Sequence, residues 1–138
     1  MKQLQIKYPL ISFVSFEGIH LLIDLESRGY FEDRLICEGN CETGLLDIAR
    51  HFIKENSLVI DVGANLGFYS LYFAKKYPTC QVYGYEPVSY VFNSFYRSRE
   101  LNKLSNLHPC NMAVGFTHAE MDIYAASKGT YNKGTSSI

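Results

Sequence analysis

Two carboxylates bracket a short glycine-rich segment: Asp61, then Gly63-Ala64-Asn65-Leu66-Gly67, then Glu86, 19 positions beyond Gly67. A glycine-rich turn lets backbone approach a ligand closely and aims the N–H groups of a following helix at it. A nicotinamide or flavin dinucleotide calls for G-x-G-x-x-G, whose second glycine admits the pyrophosphate; that position is Asn65. Asp61, two residues before Gly63, would repel a pyrophosphate by like charge and suits an ammonium or sulfonium instead. A P-loop is excluded, because no G-x-x-x-x-G-K-[ST] segment occurs. A ligand with a cationic centre for Asp61 and two free ribose hydroxyls for Glu86 meets both demands. S-adenosyl-L-methionine is such a ligand and carries no phosphate. Asp61, Gly63 and Gly67 without Glu86 would equally describe a capped turn.

The elements that must position these residues can be read in order. Leu58-Val59-Ile60-Asp61-Val62 is an unbroken, β-branched apolar run, the pattern of a central parallel strand covered on both faces. After the glycine segment a helix is predicted from Phe68 to Lys75-Lys76, with its basic residues at the C-terminal end and Pro78 as a stop. Gln81–Tyr85 reads as a second strand closed by Glu86-Pro87, and Pro87 opens a helix from about Val88 to Leu101 with Val91, Phe92 and Phe95 inward. Leu107–Val114 is a third strand. Strand, glycine loop, helix, strand, helix, strand is half of a doubly wound α/β sheet, which binds ligands beyond the carboxyl ends of its strands. Asp61, the loop and Glu86 all fall there.

Upstream, Thr43 caps a helix whose inward face is Leu45, Leu46, Ile48, Ala49, Phe52 and Ile53 and which stops near Asn56. Residues 3–16 suggest one or two strands broken at Pro9, and a short helix is predicted near Leu21–Leu25. Residues 1–42 are thus a small β/α extension before a cofactor-binding unit over 43–138. Met121–Ala125 is one further strand candidate, and 127–138 is a polar tail.

At 138 residues, 47% hydrophobic and net charge −1, the chain has the composition of one folded domain. Thirteen Lys+Arg against 14 Asp+Glu argue against nucleic-acid binding by phosphate neutralisation. Cys37 and Cys41 are not spaced as Cys-x2-Cys, and His20, His51, His108 and His118 are scattered, so no metal site is assigned. No run reaches the roughly 18–20 apolar residues of a membrane span. Lys2, Lys7 and the uncharged stretch from Tyr8 to Phe16 lack a small-x-small cleavage pattern, which favours the cytoplasm.

The segment Val59-Ile60-Asp61-Val62-Gly63-Ala64-Asn65-Leu66-Gly67-Phe68-Tyr69-Ser70 resembles the first motif of the FkbM-type methyltransferases, class I Rossmann-like enzymes dependent on S-adenosyl-L-methionine. Tyr85-Glu86-Pro87, the helix ending at Leu101-Asn102, and Asn111-Met112-Ala113-Val114-Gly115 are similar to that family's next landmarks, and the resemblance covers roughly 40–138. It implies that Asp61 and Gly63 line the cofactor's methionine end, that Ala64, Asn65 and Gly67 belong to the same cofactor-binding loop, that Glu86 holds the ribose, and that Asn111 and Ala113 lie near the adenine or the reaction centre. It also implies O-methylation of a hydroxyl on a sugar, glycan or natural-product acceptor. The family's acidic Lys-Ile-Asp-Val-Glu-Gly-like fourth strand has no counterpart here, so the expectation is the N-terminal part of the fold, inactive alone, with an exposed sheet edge open to self-association.

No catalytic residue is assigned. His108, His118 and Asp122 titrate but sit in no motif; Glu38 and Glu42 read as solvated, and Tyr69 and Tyr72 as core. Two other classes compete: a non-catalytic interaction module that keeps the fold, and a dinucleotide oxidoreductase, which Asn65 and Asp61 disfavour.

Overall fold

Leu21, Leu22 and Ile23 are three consecutive apolar residues, and all three are buried, which a strand between two packed layers allows. They lie in a hairpin at the start of the computed structural model, which describes residues 10–15, 17–25, 29–39, 43–117, 119–120 and 122–124. Its strands β1 (Leu10–Val14) and β2 (His20–Asp24) pair antiparallel from Leu10↔Asp24 to Val14↔His20. The helix predicted near Leu21–Leu25 is therefore a strand. Its backbone is satisfied from across the core, since Leu22 N–H donates to Ser98 Oγ (2.8 Å) and His20 N–H to Asn102 Oδ1 (3.0 Å).

α1 (Tyr30–Glu38) follows, closed at its start by the Glu32 carboxylate accepting from Gly29 N–H (2.8 Å). α2 (Thr43–Ala49) is shorter than the sequence predicts. Of its expected inward face only Leu46 is fully buried, while Leu45, Ile48 and Phe52 are exposed. Without that packing the helix tightens into turns at His51 and Phe52 and ends, since most helical stability in proteins comes from the buried face.

The remaining elements match the predicted order: β3 (Leu58–Val62), α3 (Phe68–Lys76), β4 (Gln81–Tyr85), α4 (Ser89–Asn102) and β5 (Leu107–Cys110). The three strands are parallel in the order β3-β4-β5, with Asp61 beside Gly84 and Tyr85 beside Cys110. β5 ends four residues before Val114. Beyond Cys110 the Asn111 side chain takes over, its Nδ2 donating to Glu86 O (2.8 Å) and Pro87 O (3.1 Å). Of the Met121–Ala125 candidate only residues 122–124 are described, with one isolated bridge at Tyr124; the predicted strand before Pro9 and the 127–138 tail lie outside the described residues.

α3 and α4 cover the same face of the sheet, meeting over Gly84. A Cβ there would lie 2.6 Å from both Phe95 Cζ of α4 and Ser70 Oγ of α3. Phe68, Leu71, Tyr72, Val82, Phe95 and Leu107 form the core, and Ile19, Leu21, Ile23, Leu35 and Leu46 extend it. The opposite face of β3 is bare: Leu58, Ile60 and Val62 are 63%, 58% and 61% exposed. The described residues supply one of the two helical layers a doubly wound sheet carries.

Gly84→Ala should cost about 1–3 kcal/mol, because Phe95 is fully buried and has nowhere to move. Gly67→Ala should cost more. Its φ is +79° and its Cβ would fall 1.9 Å from Phe95 Cδ2, so backbone strain of about 1–2 kcal/mol adds to the overlap. Urea denaturation checks both, the expected signature being a lower midpoint at unchanged slope.

Candidate functional site

β3 ends at Val62, and the chain must reverse to enter α3 on the covered face within five residues. Three left-handed residues accomplish this: Gly63 (φ 78°), Asn65 (φ 52°) and Gly67 (φ 79°). Glycine and asparagine are the residues that adopt this conformation at least cost. The loop is tied to the end of β4, with Gly63 N–H and Ala64 N–H both donating to Tyr85 O at 2.9 Å, and Gly67 N–H to Ala64 O at 2.8 Å. Asn65 N–H donates to Glu86 Oε2 (2.9 Å). Four of the loop's N–H groups are thus spent inside the protein, so the loop does not form the phosphate cradle that N–H groups aimed at a ligand would make.

Glu86 is only 6% exposed, and its other oxygen accepts from Val88 N–H (2.9 Å), fixing the turn that leads into α4. Each carboxylate oxygen retains a second lone-pair direction, so a ligand's hydroxyls can still be accepted. Asp61 lies at the end of β3, where Ser70 Oγ donates to it at 2.7 Å and the Ser70 backbone N–H adds a second bond. Asp61 therefore caps the start of α3, the turn-capping role its sequence position allows, and does so from the neighbouring strand.

Burial pushes the Asp61 carboxyl above the usual carboxylate range, against the lowering effect of the Ser70 bonds. Glu86 is also pushed up, first by burial and last by the negative charge of Asp61, with the Val88 and Asn65 bonds opposing. Two desolvated carboxylates that feel each other favour a cationic occupant, which would restore the charge balance that hydration supplies elsewhere. The surface beside Gly63 is open: the residue is exposed, and an added Cβ would meet no atom within 4 Å.

Asn111 joins this region through its bonds to Glu86 O and Pro87 O, and its Oδ1 accepts from Ser89 Oγ (3.1 Å). Ala64 is buried at the loop's base, whereas Ala113 lies on an exposed segment. Tyr72 is core, its hydroxyl accepting from Arg50 Nε (3.0 Å), and Tyr69 stacks on Phe73. Glu38 pairs with Arg34 at 2.7 Å in solvent, and His108 stacks on Tyr83 on the sheet's other face. Asp122 is exposed, and Glu42, His118 and Cys41 lie outside the described residues. Among the described residues no group of three His, Cys, Asp or Glu is placed to hold a metal.

Sequence reasoning assigned no role to Ser70, although a hydroxyl in the first turn of the helix after the loop is a recognisable signal. It also passed over Tyr90. Burial raises the pKa of that phenol, as do the charges of Glu32 on α1 and of Glu86, which puts the start of α1 beside the site. Phe31 of α1 packs edge-on against Phe68 of α3 at 6.4 Å, consistent with that placement.

A parallel sheet whose strands are joined by helices, with a left-handed glycine loop after the first of them, defines a Rossmann-like α/β fold. Two solved structures share it: Trm5b from Pyrococcus abyssi (TM-score 0.57, 22% identity, 75% of this chain and 28% of that one) and M. jannaschii TYW2 in complex with AdoMet (0.54, 21%, 79% and 46%). Among curated proteins the chain is similar to Methyltransferase 1 of Beauveria bassiana, 33% identical over 60 residues, and to Methyltransferase sdnD of Sordaria araneosa, 36% over 56. Those matches cover 42% and 41% of this chain but only 24% and 21% of the relatives, so the chain spans about a quarter or less of their length. No family model matches.

The raised Asp61 pKa fixes the sign of a stability effect. A carboxyl whose folded pKa lies above its unfolded value favours folding at low pH, and that contribution is lost as pH rises through the folded value. Asp61→Asn should therefore raise the Tm of the ligand-free protein at pH 7. The gain should shrink as pH falls through the raised folded value and be gone near the ordinary aspartate value of 3.8. Thermal melts of both proteins across pH 3–7 check this (roughly the span over which a carboxylate titrates).

Proposed function

We propose that this chain is the cofactor-binding part of an S-adenosyl-L-methionine-dependent methyltransferase of the FkbM type, transferring a methyl group to a hydroxyl of a sugar, glycan or small natural-product acceptor. The observation that carries this reading is the pair of desolvated carboxylates, Asp61 and Glu86, around a loop whose own N–H groups are already bonded. The methyltransferase relatives support it, as does TYW2, a structural neighbour in complex with AdoMet. The site is proposed to act in the cytoplasm, in keeping with the free thiols Cys37, Cys80 and Cys110. No helix among the described residues is long and apolar enough to cross a membrane.

In this reading Asp61 faces the cationic methionine end, Gly63 leaves room for it, and Glu86 accepts from the ribose hydroxyls. Ser70 is a positioning residue that holds the Asp61 carboxylate. Asn111 fixes the segment after β5 on which Ala113 stands, beside the adenine or the reaction centre. The bound cofactor supplies a methyl already activated by the sulfonium, so alignment of acceptor and methyl does most of the work. No residue of the chain is assigned as general base.

A second reading, a non-catalytic interaction module, is favoured by the bare edge and face of β3. Calorimetric titration with S-adenosyl-L-methionine and, separately, NADH distinguishes the classes. Heat with the first alone is expected, and heat with NADH alone contradicts the proposal. Asp61→Ala and Glu86→Ala should each weaken cofactor binding tenfold or more. Unchanged affinity in both variants, with Tm measured as the folding control, would discard the pocket.

A further inference from the structure

A cavity of about 230 Å³ opens at the end of α3 away from the glycine loop, lined by Glu17, Ile19, Tyr72, Lys75 and Lys76. It is separate from the Asp61–Glu86 site. Ser70, which holds Asp61, and Lys76 are six residues apart on α3, about 9 Å along its axis. The volume is several times the roughly 30 Å³ share of one water molecule. It falls short of the roughly 300–1,000 Å³ of sites for drug-sized ligands, so the occupant it fits is small.

The cavity forms where the turn between β1 and β2 meets the end of α3. Left-handed Gly18 (φ 69°) presents its carbonyl to Lys75 Nζ, which donates to it. Arg50, from the turn after α2, touches two of the lining residues. Its Nε donates to Tyr72 Oη (3.0 Å), and its Nη2 pairs with Glu17 at 3.7 Å. Because the partly exposed Arg50 meets Tyr72 and Glu17 together, the phenol end of Tyr72 reaches this surface.

Two donors remain unspent there. Tyr72 is 1% exposed, and Arg50 occupies its oxygen as an acceptor, yet its own O–H has no acceptor among the described residues. A buried phenol ordinarily finds one. Lys76 likewise has no partner among the described residues. Nor are the lysines needed to close the end of α3, because Asn106 Nδ2 donates to Ala74 O (3.0 Å) and Tyr77 O (3.3 Å). Two ammoniums and one carboxylate line the cavity, a net charge of one positive unit, which suits a monoanion better than a dianion. The Tyr72 ring and Ile19 supply an apolar floor.

We propose that this cavity is a binding site for a short-chain monocarboxylate, whose oxygens accept from the Tyr72 O–H and the Lys76 ammonium while its apolar body lies over Ile19 and the Tyr72 ring. The assignment stands whether or not the Asp61–Glu86 site binds S-adenosyl-L-methionine.

The test uses the 138-residue chain and follows its backbone amide resonances by NMR while butyrate, inorganic phosphate and chloride are titrated separately at constant ionic strength. Saturable 1:1 shifts with butyrate are expected at Ile19, Tyr72 and Lys76. Tyr72→Phe, which keeps the ring, should weaken butyrate binding about tenfold, as loss of a hydrogen bond to a charged acceptor does. Lys76→Gln, at an exposed position, should weaken it about threefold, and Glu17→Gln should strengthen it by a similar factor. The Tm of each variant controls for folding, and Lys76→Gln and Glu17→Gln decide the matter if Tyr72→Phe does not fold. Butyrate affinity unchanged in both of these variants overturns the proposal. So do butyrate shifts that never saturate, equal shifts with chloride, or saturable binding of phosphate without butyrate.

Discussion

Glu86 is the constraint on which the arrangement depends. Buried at the end of β4, it accepts Asn65 N–H with one oxygen and Val88 N–H with the other. One side chain thereby fixes the loop that leads into α3 and the turn that starts α4. Those helices meet over Gly84 through Phe95 and Ser70, and Ser70 in turn holds Asp61. A hydrogen bond to an ionised acceptor is worth roughly 1.5–3 kcal/mol, and losing the carboxylate would leave two backbone donors unpaired in a buried place.

The same arrangement carries an electrostatic cost. Asp61 and Glu86 are both taken out of water, and each has its pKa raised mainly by burial. No residue at the site is described as balancing them with a positive charge; the bonds that partly offset the cost are neutral N–H and O–H donors. Stability given up at one site is commonly recovered when a ligand binds the folded state. On the proposed reading a cationic ligand would recover it here, and a phosphate would deepen it. The electrostatics of the ligand-free protein thus favour a cation over an anion beside these two carboxylates.

Much of this was legible in the chain. The unbroken Leu58–Val62 run, the glycines, and the stops at Pro78 and Pro87 define β3 through α4 because each signal is local. The covering on both faces that the Leu58–Val62 run suggests, however, is not met among the described residues, where β3 is an edge strand with Leu58, Ile60 and Val62 exposed. The N-terminal part was less legible. Leu21–Ile23 is spaced as well for a helix as for a strand, and what decides it is the pairing with β1 together with the Ser98 and Asn102 side chains, more than 70 residues away. α2 was overextended because Leu45, Ile48 and Phe52 form an apolar face that the described residues do not cover. The backbone bonds of Glu86 and the Asp61–Ser70 contact are tertiary, and a single sequence records the residues without the geometry. Gly84 was the overlooked clue: a glycine inside a buried strand marks a close approach, here Phe95.

The central claim is that Asp61 and Glu86 are strained electrostatically until a cation relieves them. Carbon-13 NMR titration of the side-chain carboxyls, with and without S-adenosyl-L-methionine, measures this directly. Both pKa values should lie above the ordinary 3.8 and 4.5 in the free protein and fall when the ligand is present. Ordinary values in the free protein, or raised values that the ligand leaves in place, would contradict the account.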